Sequence, residues 1–320
     1  MIEKISYQER ELAVLEEYGE LAGRHIMLSN GRMELLDANP RLYPAQQLDC
    51  YWVGGDPQPA DAVAYVVEQA DHRFPAYLES LKSPEHQAML EQYGNILQRG
   101  DNIILVTNHG DTIDVVIGLA GPHCMLDQQG YDFKTGVIIS KMISRVGYIL
   151  EKGSPSIPAV DALKVGCSDI FLSFPRTDSM NRSKLFDFVT DLIDTHNRNI
   201  RDLISSRQRS STGYLLGVAG SGSTDKQNPD DPSTYIMGAI SEGTIKMMQA
   251  PSTFVLPMAV WLDDEQPVFR FCDLRTVSNA HEAHGVMEVI ADTLNQALSE
   301  KKFVYNTKAI GTTALGDTIV

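Results

Sequence analysis

From residue 59 onward, short apolar runs alternate with longer segments of helical period, and this alternation constrains the fold more than any other feature of the chain. It predicts helices near 60–80, 84–99, 112–121, 180–208, 235–249 and 280–300. Strands are expected at 102–107, 136–140, 169–174, 213–218, 253–261 and 267–272. Strands interleaved with helices give an α/β fold, a mixed, mostly parallel sheet flanked by helices.

Ahead of this region the pattern differs. Residues 6–28 carry a helical stripe of Leu12, Leu15, Tyr18, Leu21 and Ala22 with acids on the other side. The run 54-GGDPQPAD-61 concentrates Gly, Pro and Asp and reads as a linker. A small helical domain is therefore expected over 1–58 and the α/β domain over 59–320. The polar stretch 220-GSGSTDKQNPDDPS-233 reads as a long binding loop without structure of its own.

With 320 residues, 43% of them hydrophobic and 22% charged, the chain can bury a sizeable core. A formal charge of -15 argues against a nucleic acid as partner and against anionic membrane surfaces, since phosphates are bound by surplus Lys and Arg. The excess acid gathers before Asn102. The segment 134–209, with Lys141, Arg145, Lys164, Arg176, Arg182 and Lys184, is mildly basic and suits a local anion site. Cys50, Cys124, Cys167 and Cys272 are scattered, without metal-ligand spacing, and read as reduced thiols of a cytoplasmic protein. The N-terminus lacks an apolar signal region, and no apolar run approaches the roughly 20 residues of a membrane span, which leaves at most peripheral membrane contact.

The chemistry concentrates in 105-LVTNHGDTIDVV-116, where a strand feeds into a helix through a polar cluster. One reading is structural. Asp111 or Thr112 caps the helix, and Asp114 closes a capping box. That accounts for the carboxylates and leaves His109 unexplained. In the other reading His109 lies on the turn and Asp114 on the first helical turn. Their spacing then lets a carboxylate orient the imidazole while the far ring nitrogen accepts a proton.

The stretch 97-LQRGDNIILVTNHGDTID-114 resembles the first motif of the glycerol-3-phosphate acyltransferases, His-x4-Asp after a buried strand, in their soluble plastid-type and chlamydial form. Three further stretches follow in that family's order. The segment 166-GCSDIFLSFPRTD-178 is similar to its second motif and supplies Arg176. The segment 214-YLLGVAGSGSTDK-226 is similar to the third, with Ser221, Gly222, Thr224 and Lys226 in a Ser-Gly-rich turn. The segment 252-STFVLPMAVWL-262 matches the fourth, broken by Pro257.

The resemblance implies acyl transfer from acyl carrier protein or coenzyme A to a hydroxyl acceptor such as glycerol 3-phosphate, in phospholipid biosynthesis, with no bound cofactor or metal. His109 would be the general base and Asp114 its orienting partner. Arg176 and Lys226 would hold an anionic group beside Ser221, Gly222 and Thr224. Thr224 stands where the family commonly has arginine, which points to a weaker phosphate site or to an alcohol or amine acceptor without phosphate.

Competing patterns are less complete. The segment 217-GVAGSGST-224 approaches a P-loop, but Ser223 replaces its lysine. A serine hydrolase would use Ser221 with Asp263 or Asp264 and His281 or His284, although the turn is not Gly-x-Ser-x-Gly. The pair His281 and His284 lacks a third metal ligand. Arg176 also reads as a surface residue, Pro257 as an edge-strand mark, and Met247, Met248 and Met258 as core filling. A non-catalytic acyl-binding protein is the remaining class.

Overall fold

The structure, a computed structural model, describes residues 52–110, 113–140, 163–173, 187–221, 225–263 and 265–307, and short strands at 25–29, 32–36, 147–148 and 157–158. In chain order the strands are β1 (His25–Ser29), β2 (Arg32–Leu36), β3 (Trp52–Gly54), β4 (Asn102–Thr107), β5 (Lys134–Ser140), β6 (Gly147–Tyr148) and β7 (Ile157–Pro158). They continue as β8 (Asp169–Ser173), β9 (Tyr214–Ala219), β10 (Lys226–Asn228), β11 (Asp231–Met237), β12 (Thr253–Trp261), β13 (Val268–Phe271) and β14 (Lys302–Tyr305). The helices are α1 (Ala60–Ala70), α2 (Phe74–Ser80), α3 (Pro84–Gln98), α4 (Asp114–Gln128), α5 (Asp187–Gln208), α6 (Glu242–Met248) and α7 (Ala280–Ala297).

Seven strands form the main sheet in the order β13-β12-β4-β9-β5-β8-β3. The five inner strands are mutually parallel, and the edge strands β13 and β3 run antiparallel to their neighbours. This is the mixed, mostly parallel sheet expected from the alternation. Because side chains of a strand alternate between faces, each inner strand contributes to two cores. Ile103, Leu105, Leu256, Met258 and Val260 pack with Val63, Leu90, Tyr93, Val115 and Leu119 from α1, α3 and α4. Ile104, Val106, Leu216, Val255 and Ala259 pack on the other face with Ile200, Ile204, Met248, Val286 and Ile290 from α5, α6 and α7. At about 1.5–3 kcal/mol for each large apolar side chain, this two-sided burial is the main source of cohesion. It also explains why β4 and β12 coincide with their predicted ranges.

Several expectations change. The helix read over 6–28 cannot extend to its end, because His25–Ser29 pairs with Arg32–Leu36 as an antiparallel hairpin; residues 6–24 lie outside the described ones. Trp52–Gly54 pairs with β8 in the main sheet. The segment read as a linker is fastened to it as well: Gly55, Asp56 and Gln58 donate backbone hydrogen bonds to Ser168, Lys164 and Val165. A Cβ at Gly55 would lie 1.7 Å from the Cys167 carbonyl oxygen, so only glycine permits that approach. Part of the stretch read as an unstructured loop is a hairpin of β10 and β11. Residues 235–237, read as helix, belong to β11, which also pairs in parallel with β14. The first helix after β4 runs on through Pro122 to Gln128 instead of stopping at 121.

Candidate active site

Ligands of open parallel sheets bind outside the carboxyl ends of the strands. Here the carboxyl ends of β4, β9 and β12 meet, and the polar cluster lies in the turn that follows β4. Thr107 is the last β4 residue paired with β12. Beyond it, Asn108 keeps the ladder going with its side chain: Oδ1 accepts from Val260 N at 2.9 Å and Nδ2 donates to Val260 O at 2.8 Å. The main chain is thereby released from the sheet one residue before His109.

His109 is half-buried on the turn, and its peptide groups on both sides are held by Asp225. The His109 N–H donates to Asp225 Oδ2 at 3.1 Å, and the His109 carbonyl accepts from Asp225 N at 2.6 Å. Asn108 Nδ2 adds a longer contact to the same Oδ2, at 3.3 Å. Asp225 Oδ1 is buried and has no hydrogen-bond partner. Burial pushes the Asp225 carboxyl up to about 7, against the lowering effect of its bonds to Asn108 and His109.

Asp114 is the first residue of α4 and is fully buried. The position before the helix is held by Ile113, without a side-chain cap bond; Asp111 and Thr112, the caps expected from the sequence, lie outside the described residues. As a carboxylate at a helix N-terminus Asp114 lies where the helix dipole favours negative charge. Its Oδ2 is 3.7 Å from the point a Cβ on Gly110 would occupy, one residue from His109. The same point is 3.3 Å from the Trp261 ring, which closes the other side of the turn. Trp261 meets Tyr235 and Phe303 edge-on, at 4.7 Å and 5.1 Å between ring centroids. Its buried Nε1 has no hydrogen-bond partner.

The segment that follows β9 is fastened to this turn at both ends. Gly220 N donates to Thr107 O at 3.0 Å, and Asp225 N makes its bond to His109 O, so Gly220 and Asp225 both attach to β4. Ser221 is half-buried next to the first attachment, and Lys226 opens β10 next to the second. The structure thus gathers His109, Asp114, Ser221 and Lys226 around the end of β4. Arg176, Gly222 and Thr224 lie outside the described residues.

Two residues of the hydrolase alternative are engaged elsewhere, and Asp264 lies outside the described residues. His284 Nδ1 is 2.6 Å from the Tyr305 hydroxyl, and Asp263 pairs with Lys301 at 3.1 Å. His281 is exposed. Among the described residues, no group of three or more His, Cys, Asp or Glu is placed to hold a metal ion. None of their helices is long and apolar enough to cross a membrane. A groove of about 440 Å³ between α3 and Phe254 opens at the opposite end of β12.

Sequence reasoning missed Asn108 and Asp225. Asn108 could have been noticed as a short amide at the point where an apolar strand stops. Nothing near Asp225 in the chain signals that it is buried. No protein-family model matches the chain, and no curated protein sequence matches it.

Proposed function

We propose that this chain is an acyltransferase that moves a fatty acyl group from a thioester, on acyl carrier protein or coenzyme A, to a small hydroxyl acceptor, with His109 as general base. The observation that carries the reading is the placement of His109 on a turn at the carboxyl end of the central strand, with the buried Asp114 carboxylate beside the neighbouring Gly110. A histidine at such a turn can face a bound substrate while its backbone stays rigid. The four motif resemblances, in order along the chain, support the same chemistry.

In the proposed reaction the far ring nitrogen of His109 takes the acceptor's O–H proton as that oxygen attacks the thioester carbonyl carbon. The tetrahedral intermediate expels the thiolate by breaking the C–S bond. The imidazolium returns its proton to the sulfur. Asp114 stabilises the imidazolium. The donor is already activated, so no acyl-enzyme is required. Backbone N–H groups at the start of α4 are suited to the oxyanion; the Gly220 N–H is already taken by the Thr107 carbonyl. Lys226 and Arg176 would bind an anionic part of the acceptor or of the donor's phosphopantetheine.

Glycerol 3-phosphate is the acceptor we favour, and the cytoplasm the compartment. The substitution of Thr224 for arginine keeps a neutral alcohol or an amine as the second choice. The hydrolase reading is weaker, since His284 and Asp263 bond to Tyr305 and Lys301. Thiol release from palmitoyl-coenzyme A and palmitoyl-acyl carrier protein, measured with glycerol 3-phosphate, glycerol, ethanolamine or no acceptor, tests the proposal. Acceptor-dependent release is expected. Equal release without acceptor, abolished by Ser221→Ala, would establish the hydrolase.

A further inference from the structure

We propose that Asp225 is a positioning residue that fixes the His109 imidazole by fastening the two peptide groups on either side of the His109 Cα. This rests on the reading of His109 as the base.

The geometry is specific. A turn residue's side-chain direction follows its φ and ψ, and these are fixed when both flanking peptides are held. One residue does both here, through Oδ2 to the His109 N–H and through its own N–H to the His109 carbonyl. The shared contact from Asn108 Nδ2 ties the clasp to Val260, and so to β12. His109 is thus referred to β10 through Asp225, the residue before Lys226, and to β12, a neighbour of β4, through Asn108.

A carboxylate is a costly choice for a purely structural clasp. Oδ1 is buried with no hydrogen-bond partner, and an amide would make the same two acceptor bonds without a buried charge. The charge has a use if it lies beside a ring that becomes positive during the reaction. Among the described residues, the ionisable side chains that the turn after β4, the start of α4 and the start of β10 carry are His109, Asp114 and Lys226. Asp263 and Lys301 pair with each other beyond Trp261.

Asp225→Asn separates the clasp from the charge, because its amide oxygen can accept both bonds while its NH₂ takes the place of Oδ1. Asp225→Ala removes the charge and the side-chain half of the clasp, leaving only the backbone bond from Asp225 N to the His109 carbonyl. The first readout needs no acyl transfer: with ¹⁵N-histidine labelling, the His109 backbone amide resonance is followed between pH 5 and 9. In the native protein its pH response should contain a component with a midpoint near the value of about 7 expected for Asp225. The His109 ring shifts the same amide when it is protonated, so it is this Asp225 component, and not the whole response, that should be missing from Asp225→Asn.

The second readout is kinetic. Asp225→Ala should lower kcat about 10²-fold, the usual scale for misplacing a catalytic group by an ångström, with the thioester KM little changed. Asp225→Asn should restore kcat to within roughly tenfold of native. If the native enzyme transfers no acyl group to any acceptor, the function reading fails, and the amide titration alone decides the clasp. An His109 amide that titrates identically in Asp225→Asn, or native kcat in a folded Asp225→Ala, would overturn the proposal.

Discussion

The side chain of Asn108 stands in for a peptide group opposite Val260, exchanging two hydrogen bonds with it at 2.8 and 2.9 Å in a fully buried position. Val260 would otherwise have no neighbour on that side, because β4 has left the sheet. Asn108→Ala orphans one buried donor and one buried acceptor. At about 1–3 kcal/mol for each unsatisfied group, a loss of about 2–5 kcal/mol in urea unfolding is expected. Asn108→Asp should not rescue it, since a carboxylate would face both the Val260 carbonyl and Asp225. A loss below 1 kcal/mol in Asn108→Ala would mean that the ladder closes without the amide.

Asp225 makes stability depend on pH in an identifiable direction. Its folded carboxyl lies at about 7 against an ordinary value of 3.8, so between these limits the folded state binds more protons than the unfolded one. Its stabilising contribution is complete below pH 3.8 and is lost as pH rises through about 7. Asp225→Asn cannot titrate. Relative to the native chain it should therefore gain stability by about 2–3 kcal/mol between pH 5 and pH 7, and little more above pH 8. Paired urea denaturations at pH 5, 6, 7 and 8 measure this, and a constant difference across the series would contradict it.

A second buried carboxylate is an anchor far from the turn. Asp169, at the start of β8, accepts from Trp52 Nε1 at 2.7 Å and from the Tyr214 hydroxyl at 3.1 Å, and it pairs with Arg207 at 3.1 Å. Burial first, and then the Asp169 charge, hold the Tyr214 hydroxyl well above its usual range, which keeps it a donor. Asp169→Ala unpairs a part-exposed Arg207 and strands the Trp52 and Tyr214 donors, at a cost of about 2–5 kcal/mol. The chain has two tryptophans, Trp52 and Trp261. In an Asp169→Ala, Trp261→Phe background the remaining Trp52 emission should shift to the red while the variant stays folded in the cold. Unchanged Trp52 emission would show that Asp169 does not hold β3.

These anchors mark where the sequence was legible. β4 and β12 could be read to the residue because both of their faces are buried, which produces apolar runs with sharp ends at Asn102 and Thr107 and at Thr253 and Trp261. β11 could not. Its first residues, Asp231, Pro232 and Ser233, are exposed, and beside the hairpin with β10 the strand is held by pairing of Thr234–Met237 with Lys302–Tyr305, some 68 positions away. Pairing at that distance leaves no local periodicity. The places of His109 on the turn after β4 and of Asp114 on the first turn of α4 were legible because the spacing followed a recognisable strand. Asp225 was not, since a charged residue in a polar stretch reads as solvated, and its burial is imposed by the end of β4. Of the residues expected to bind substrate, Arg176, Gly222 and Thr224 fall outside the described part of the chain.

The most direct measurement is single-turnover thiol release from an acyl thioester by native protein and by His109→Ala, with saturating acceptor and with circular dichroism and thermal unfolding confirming the fold of both. A half-buried turn histidine can be truncated without opening a core cavity, so the variant should unfold within about 1 kcal/mol of native. Loss of the base should cost about 10²–10⁴ in the rate of acceptor-dependent release, with Asp114→Asn costing less. A folded His109→Ala that transfers the acyl group at the native rate would show that the turn after β4 is not where the proton is taken.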